Sequence, residues 1–440
     1  MKHKVAIIGA GYAGLACAVE LARRNVAVTL FDRSRVLGGR ARLVTAGGRR
    51  IDNGQHILLG AYSCLLGLMR TVGASPQALE QRPLTLVMPG EFSLRAARLP
   101  APLHLAVAFL RARGLSWHER RALFAMLRAL RRQRYRLDPD RSVAILLREH
   151  EQPQRVIDLL WEPLCLAALN TPLERASARV FVNVLKDSLG AHAGASELLI
   201  PRTDLTELFP VQAARYLAKR RGRIHSGITV SGIIEDERGF ELEGDPAFNQ
   251  RYDQVVIATA PYHAGALLAS TGRCARLVDQ IDALKHEPIT TVYLALDPRE
   301  RLPEPMIALN RGPAQWAFDH GQLEGEPGLI ACVISTAKAH PDLSHEELEL
   351  AVLAQLENQL GRQFAAPTWT RTITEKRATI ACTPDLYRPG PRTPVEGLWL
   401  AGDYLDSPYP ATLESAARSG VAAATAILKT LAPPPTPTAS

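Results

Sequence analysis

The sequence predicts an α/β fold: a Rossmann-like nucleotide-binding domain assembled from separated segments and interrupted by a mixed α+β domain. Three stretches predict it. VAIIGAGYAGLACAVELARRNVAVTLFD, residues 5–32, reads as strand, glycine turn, helix and second strand in that order. YDQVVIATAP, residues 252–261, is another short apolar strand. GLWLAGD, residues 397–403, is a third; it ends in Gly-Asp and leads through SPYPAT to a helix predicted over 413–428.

Each part of the first unit has a physical reason. Val5–Ile8 is a short apolar run suited to a parallel strand covered on both faces. Gly9, Gly11 and Gly14 follow at G-x-G-x-x-G spacing. Gly9 permits a tight turn, Gly11 lets backbone approach a pyrophosphate, and Gly14 lets helix and strand pack closely. Leu15, Val19, Leu21 and Ala22 mark the helix face that meets the sheet, and the helix N-terminus offers N–H groups and the positive dipole end to phosphate. Val26–Phe31 is the second strand. It ends in Asp32, with Arg33 beside it; an acid here accepts hydrogen bonds from an unphosphorylated ribose, as in FAD or NAD.

Composition narrows the class. A chain of 440 residues is long enough for two or three sub-domains with sizeable cores. Its 47% hydrophobic and 22% charged residues are those of a globular protein, and it has no apolar run of the length that crosses a membrane. Met1-Lys2-His3-Lys4 leads directly into the first strand, so no signal peptide is expected. The six cysteines are scattered without a CxxC pair, which predicts reduced thiols, a cytoplasmic protein and no metal site. The net charge of +8 is concentrated: residues 95–148 carry thirteen arginines against Glu119, Asp138 and Asp140. Anionic lipid and nucleic acid are the partners such a patch suits, and no nucleic-acid-reading motif accompanies it.

Val36-Leu37-Gly38-Gly39-Arg40, directly after the acid, resembles the G-G-R extension of the flavin amine oxidase and carotenoid desaturase superfamily. The resemblance implies FAD in a glutathione-reductase-type domain. Gly38, Gly39 and Arg40 would lie against the cofactor, Gly402 and Asp403 would bind pyrophosphate and ribityl chain, and Ala411, Thr412 and Leu413 would present the last helix N-terminus to the flavin pyrimidine edge. ITVSGI, residues 228–233, resembles the strand that meets the adenine, through Val230. It also implies a division: 1–85, 203–285 and 384–432 for FAD; 86–202 and 286–383 for substrate and membrane. The Pro-rich tail 433–440 is expected to be disordered.

Residues 52–62, DNGQHILLGAY, place a polar loop between apolar segments. With WEPLCLAALNTP (161–172) and GDYLDSPYPATLESA (402–416), it resembles the hydroxysqualene dehydroxylase family of bacterial hopanoid synthesis. The resemblance implies that Gly54 and Gln55 line the isoalloxazine. It further implies that reduced flavin converts hydroxysqualene to squalene and water, with an unidentified electron donor to the flavin. The hydroxyl is allylic, so the protein must supply an acid, a dry apolar slot and support for a delocalised cation.

The individual residues keep two readings each. His56 is a proton donor at the flavin, or it only fixes the loop. Glu162, in an apolar segment, is an acid with a raised pKa, or it braces the Pro163 turn. Asn170 contacts substrate, or it closes a helix before Thr171-Pro172. Trp161, Tyr404 and Tyr409 line a substrate tunnel, or they are core. Residues 111–136 form an amphipathic helix that lies on an anionic membrane, inner-membrane association being the expectation, or a solvated helix. An oxidative carotenoid-type desaturase and a non-catalytic lipid-binding flavoprotein are the alternatives. An amine oxidase is disfavoured because PITTVYLALD, residues 288–297, carries no lysine.

Overall fold

The computed structural model describes residues 3–189, 192–244, 250–336 and 343–431. The tail segment 433–440, expected to be disordered, lies outside the described residues.

A five-stranded parallel sheet carries the nucleotide-binding half. Its order is Arg223–Ser226, Ala27–Asp32, Lys4–Ile8, Gln254–Ile257, Leu398–Leu400. Strands far apart in sequence thus lie side by side, because a central parallel strand needs neighbours on both edges and layers on both faces. The alternation along Lys4–Ile8 shows it: Val5 and Ile7 join one apolar cluster, Ala6 and Ile8 another. The first cluster is closed by the helices Tyr12–Arg23 and Leu413–Leu431, which pack along one another. They approach closely enough that a Cβ on Gly420 would overlap the Ala13 carbonyl.

A second, antiparallel sheet has the order Met306–Ala308, Trp316–Asp319, Leu329–Ser335, His286–Ala295, Trp369–Ile380. One face, with Tyr293, Phe318 and Val333, meets a helical core that includes Leu123, Leu146, Trp161 and Phe181. The other face, with Val292 and Leu294, packs on the helix His345–Leu360 through Val352 and Leu356. Ser344 and Glu347 start that helix with a reciprocal capping box, and Gly361 ends it in the left-handed conformation. A small sheet of Leu58–Leu59, Leu198–Pro201 and Leu79–Arg82 follows the polar loop and fixes where it leaves the site.

The basic segment corrects an expectation. It is two helices, Leu103–Arg111 and Trp117–Arg132, the second capped by Ser116 and Glu119. The apolar face of the second helix is spent on protein: Leu123, Met126 and Leu130 are fully buried in the helical core. Phe124 and Leu127 on that face are half-buried and pack against the same core.

Candidate functional site

The glycines divide by task. Gly9 has φ +112°, and a Cβ on it would sit 2.6 Å from the Ala258 carbonyl oxygen, so this glycine lets two parallel strands end side by side. A Cβ on Gly14 would overlap the Gly9 carbonyl oxygen, so Gly14 seats the helix on the turn. Gly11 differs. Its backbone is ordinary (φ −73°, ψ 178°), and its Cβ would meet nothing nearer than Gly39 Cα at 3.9 Å. The space above it, at the N-terminus of helix Tyr12–Arg23, is an open cradle where N–H groups have no intrahelical partner.

Asp32 closes this end. Its carboxylate accepts from Ala10 N at 2.5 Å and Ser34 N at 2.7 Å, bracing both turns. Ile228 N donates to the Asp32 carbonyl at 3.0 Å, which brings the segment ending in Val230 to the tip of the strand. Arg33 is exposed, with Nη1 3.4 Å from His263 Nε2. Gly38 and Gly39 take positive φ, and Gly38 N donates to the Ala10 carbonyl at 2.9 Å, laying the G-G-R turn on the first glycine turn.

Arg40 and Asp403, 363 residues apart, form a mostly buried ion pair at 2.6 Å. Arg40 also donates to the Ala378 carbonyl at 2.5 Å, so it ties both nucleotide motifs to the substrate-side sheet. Gly402 N donates to Ser419 Oγ at 2.8 Å. Arg388, which the sequence reading missed, donates to the Asp403 and Tyr409 carbonyls at 2.8 and 2.7 Å and clamps the loop before the last helix. Thr412 Oγ1 accepts from Ser415 N at 3.1 Å and caps that helix just after Ala411, with Leu413 its first residue. A cleft of about 420 Å³ opens here, with Ile380, Cys382, Arg388, Pro410 and Ala411 among its walls.

The polar loop lies between these parts. Asp52 is buried; its carboxylate accepts from Leu205 N at 3.1 and 3.3 Å, and burial pushes its pKa up to about 7. Tyr293, on the interior strand His286–Ala295 of the second sheet, donates to the Asp52 carbonyl at 2.9 Å. Gly54 has φ +151°. His56 Nδ1 donates to the Gly54 carbonyl at 3.0 Å, leaving Nε2 as the free ring nitrogen. Burial, with Arg40 nearby, holds this imidazole below the ordinary histidine value despite that hydrogen bond.

Five buried polar atoms in these segments have no hydrogen-bond partner among the described residues: Gln55 Oε1, Thr259 Oγ1, His286 Nε2, Thr291 Oγ1 and the Tyr404 hydroxyl. Buried polar groups are almost always paired, so such a set points to a polar ligand. Thr259, beside the Gly9 turn, and the open cradle over Gly11 fit a dinucleotide that starts at the first helix.

Other expectations are corrected. Trp161 is fully buried, donates from its indole N–H to Gln152 Oε1 at 2.9 Å and meets Phe181 edge-on; it is core. Asn170 closes the helix Glu162–Leu169 in the left-handed conformation. Its amide donates to Thr379 Oγ1 at 3.0 Å and Pro288 O at 3.3 Å, while Oδ1 accepts from Thr336 N at 3.2 Å, so it braces strand ends. Tyr404 is wholly buried beneath the cofactor-side sheet. Tyr409 is half-buried; its hydroxyl donates to Asp187, and the Arg418 guanidinium lies over its ring. None of these four lines the cleft. Glu162 stands exposed at the start of its helix; partial desolvation, with Asp158 and Glu174 nearby, raises its pKa, but it is not enclosed in an apolar slot.

Comparison with known proteins adds the chemistry. The sequence profile of the family described as flavin containing amine oxidoreductase matches residues 12–428. A hydroxysqualene dehydroxylase of Rhodopseudomonas palustris is 28% identical, over 97% of this chain and 99% of that protein. A chloroplastic/chromoplastic zeta-carotene desaturase of Solanum lycopersicum is 25% identical, over 95% of this chain and 80% of that protein. Cyclohexylamine oxidase from Brevibacterium oxydans shares the fold, with TM-score 0.70 and 19% identity over 98% of this chain and 100% of that one.

Proposed function

The chain belongs to the flavin-containing amine oxidoreductase family and is an FAD-dependent oxidoreductase, and from that premise we propose that it reductively removes the hydroxyl of hydroxysqualene to give squalene. The observation that carries this is the similarity to a protein named hydroxysqualene dehydroxylase along essentially the whole of both chains. Pathway context follows from the proposal: supply of squalene for triterpenoids such as hopanoids.

The bound flavin supplies the two electrons and the hydride equivalent; the chain supplies everything else. Gly11 and the first helix hold the pyrophosphate, and the Arg40–Asp403 pair holds the loop at the flavin end. His56 is the proton donor. Its lowered pKa makes the imidazolium scarce at neutral pH but a stronger acid when formed, and Nε2 is free to deliver the proton to the leaving hydroxyl. Apolar residues after the loop, Ile57 and Leu59, pack against the helical core and keep the polyisoprene side dry.

The similarity to zeta-carotene desaturases supports a second reading, oxidative desaturation of a carotenoid. The two run the flavin in opposite directions. On the dehydroxylase reading, hydroxysqualene reoxidises the reduced enzyme anaerobically and zeta-carotene does not bleach the oxidised enzyme. Bleaching by zeta-carotene, with hydroxysqualene inert, would select the desaturase.

The substrate reaches the protein from lipid, and we assign its docking to an anionic membrane surface, on the cytoplasmic side of an inner membrane. Four exposed large apolar residues, Leu99, Leu103, Leu110 and Trp117, cluster in nineteen residues of sequence with exposed Arg98, Arg111 and Arg113. Exposed apolar side chains interspersed in sequence with exposed arginines suit shallow insertion between acidic headgroups.

A further inference from the structure

Thr291 is 1% exposed, and its hydroxyl has no partner among the described residues. It lies on the interior strand His286–Ala295, where alternate residues share a face. Its neighbours on that face are apolar. Val333 and Ile373 stand directly opposite it on the two flanking strands, and Ile289 and Tyr293 lie two residues away on its own. All four pack with the helical core of the substrate side. The Tyr293 hydroxyl is satisfied by the Asp52 carbonyl, and the adjacent Thr290, on the opposite face, bonds Thr374 at 2.8 Å. Thr291 alone in this group leaves a hydroxyl unpaired among aliphatics. Valine has the same shape without that desolvation cost, so the hydroxyl has a use in a ligand-bound state.

Its position says which ligand. A Cβ built on Gly54 would come within 3.8 Å of Thr291 Oγ1, so the hydroxyl faces the polar loop at the one residue that lacks a side chain there. The next residue, Gln55, carries a second buried unpaired atom, Oε1. An unpaired hydroxyl set where an apolar wall meets the loop, with an unpaired carbonyl oxygen on the residue after Gly54, matches a single alcohol on a hydrocarbon chain. We propose that Thr291 and Gln55 seat the substrate's hydroxyl: Thr291 donates to its oxygen and Gln55 Oε1 accepts its hydrogen. This rests on the dehydroxylase reading and adds to it the residues that distinguish substrate from product.

The test uses full-length holoenzyme with FAD oxidised, so that no turnover occurs. Binding of hydroxysqualene and of squalene is followed by perturbation of the flavin visible spectrum. Wild type is expected to prefer hydroxysqualene by about tenfold or more, the worth of one or two hydrogen bonds. Thr291→Val should bring the two affinities within about threefold by weakening hydroxysqualene alone. It should keep its FAD content and match or exceed the wild-type melting temperature, and Thr291→Ser should restore the preference. Undiminished discrimination in Thr291→Val overturns the proposal while leaving the dehydroxylase reading intact. Loss of FAD from Thr291→Val also overturns it, because the partner is then the cofactor. A wild type that neither prefers nor turns over hydroxysqualene overturns the dehydroxylase reading, and this proposal with it.

Discussion

Gly11→Val separates cofactor binding from folding. Gly11 has backbone angles that any residue adopts, and a Cβ there meets no atom closer than 3.9 Å. The folded apoprotein should therefore tolerate valine at a cost of about 1 kcal/mol, from a poorer residue at the helix N-cap. The added side chain instead occupies the cradle over the helix start. If it displaces two charge-assisted hydrogen bonds to the pyrophosphate, at about 1.5–3 kcal/mol each, FAD affinity falls by roughly 3–6 kcal/mol, or about 10²–10⁴-fold. Gly9→Ala is the contrast. It forces an L-residue to φ +112° with its Cβ 2.6 Å from the Ala258 carbonyl. The left-handed strain, roughly 1–2 kcal/mol, and overpacking, roughly 1–3 kcal/mol, should destabilise the apoprotein by about 2–5 kcal/mol. Thermal melting of both apoproteins, with fluorescence titration of FAD, reads the two effects separately. A soluble Gly11→Val protein that purifies with full flavin content would refute the assignment of the cradle.

Asp52→Asn should change the pH dependence of stability. Burial raises the Asp52 pKa to about 7, so its neutral form is favoured in the fold; its contribution is full below about pH 4 and is lost as pH rises through about 7, worth at most about 4 kcal/mol. Asn keeps an acceptor for Leu205 N without the charge, so the melting temperature of the variant relative to wild type should rise between pH 5 and 8; a pH-independent difference would contradict this. His56→Ala should retain FAD but slow single-turnover flavin reoxidation by about 10²–10⁴-fold and abolish its increase toward acid pH, whereas Glu162→Gln, at an exposed site, should leave the rate near wild type. A stopped-flow rate unchanged in His56→Ala would make His56 a loop-fixing residue. Trp117→Ser combined with Arg98→Gln and Arg111→Gln should reduce cosedimentation with anionic vesicles, and high salt should weaken wild-type binding; binding that ignores salt, lipid charge and these substitutions would count against the docking surface.

The nucleotide unit was legible because its parts are contiguous: the glycines, helix face and Asp32 all lie between residues 5 and 32, where spacing alone reports geometry. Arg40 and Asp403 were legible one at a time, but nothing local announces an ion pair between residues 363 apart. The same limit governs the aromatics. Trp161 and Tyr404 have the composition of a tunnel wall and of a core alike, and only the packing of Gln152, Phe181 and the parallel sheet around them decides. For the helix Trp117–Arg132, periodicity revealed an apolar face correctly but not what covers it; Leu123, Met126 and Leu130 face protein rather than lipid. The exposed apolar residues lie mainly before that helix, singly spaced, where no periodic pattern marks them. Thr291 stands in no motif; in sequence its strand is notable only for lacking a lysine. The available signal was the strand's alternation, which puts Thr291 on the same face as Ile289 and Tyr293.

The central claim is that this flavoprotein removes an oxygen reductively rather than introducing a double bond. The most direct measurement is anaerobic incubation of stoichiometrically reduced holoenzyme with hydroxysqualene, with the extracted lipid analysed by mass spectrometry and flavin oxidation followed in the same vessel. The hydroxyl carbon exchanges its C–O bond for a C–H bond, the oxygen leaves as water, and two electrons come from the flavin. The account predicts one squalene formed per flavin oxidised. Unchanged hydroxysqualene over still-reduced flavin, or a product two hydrogens poorer that retains the hydroxyl, would contradict it.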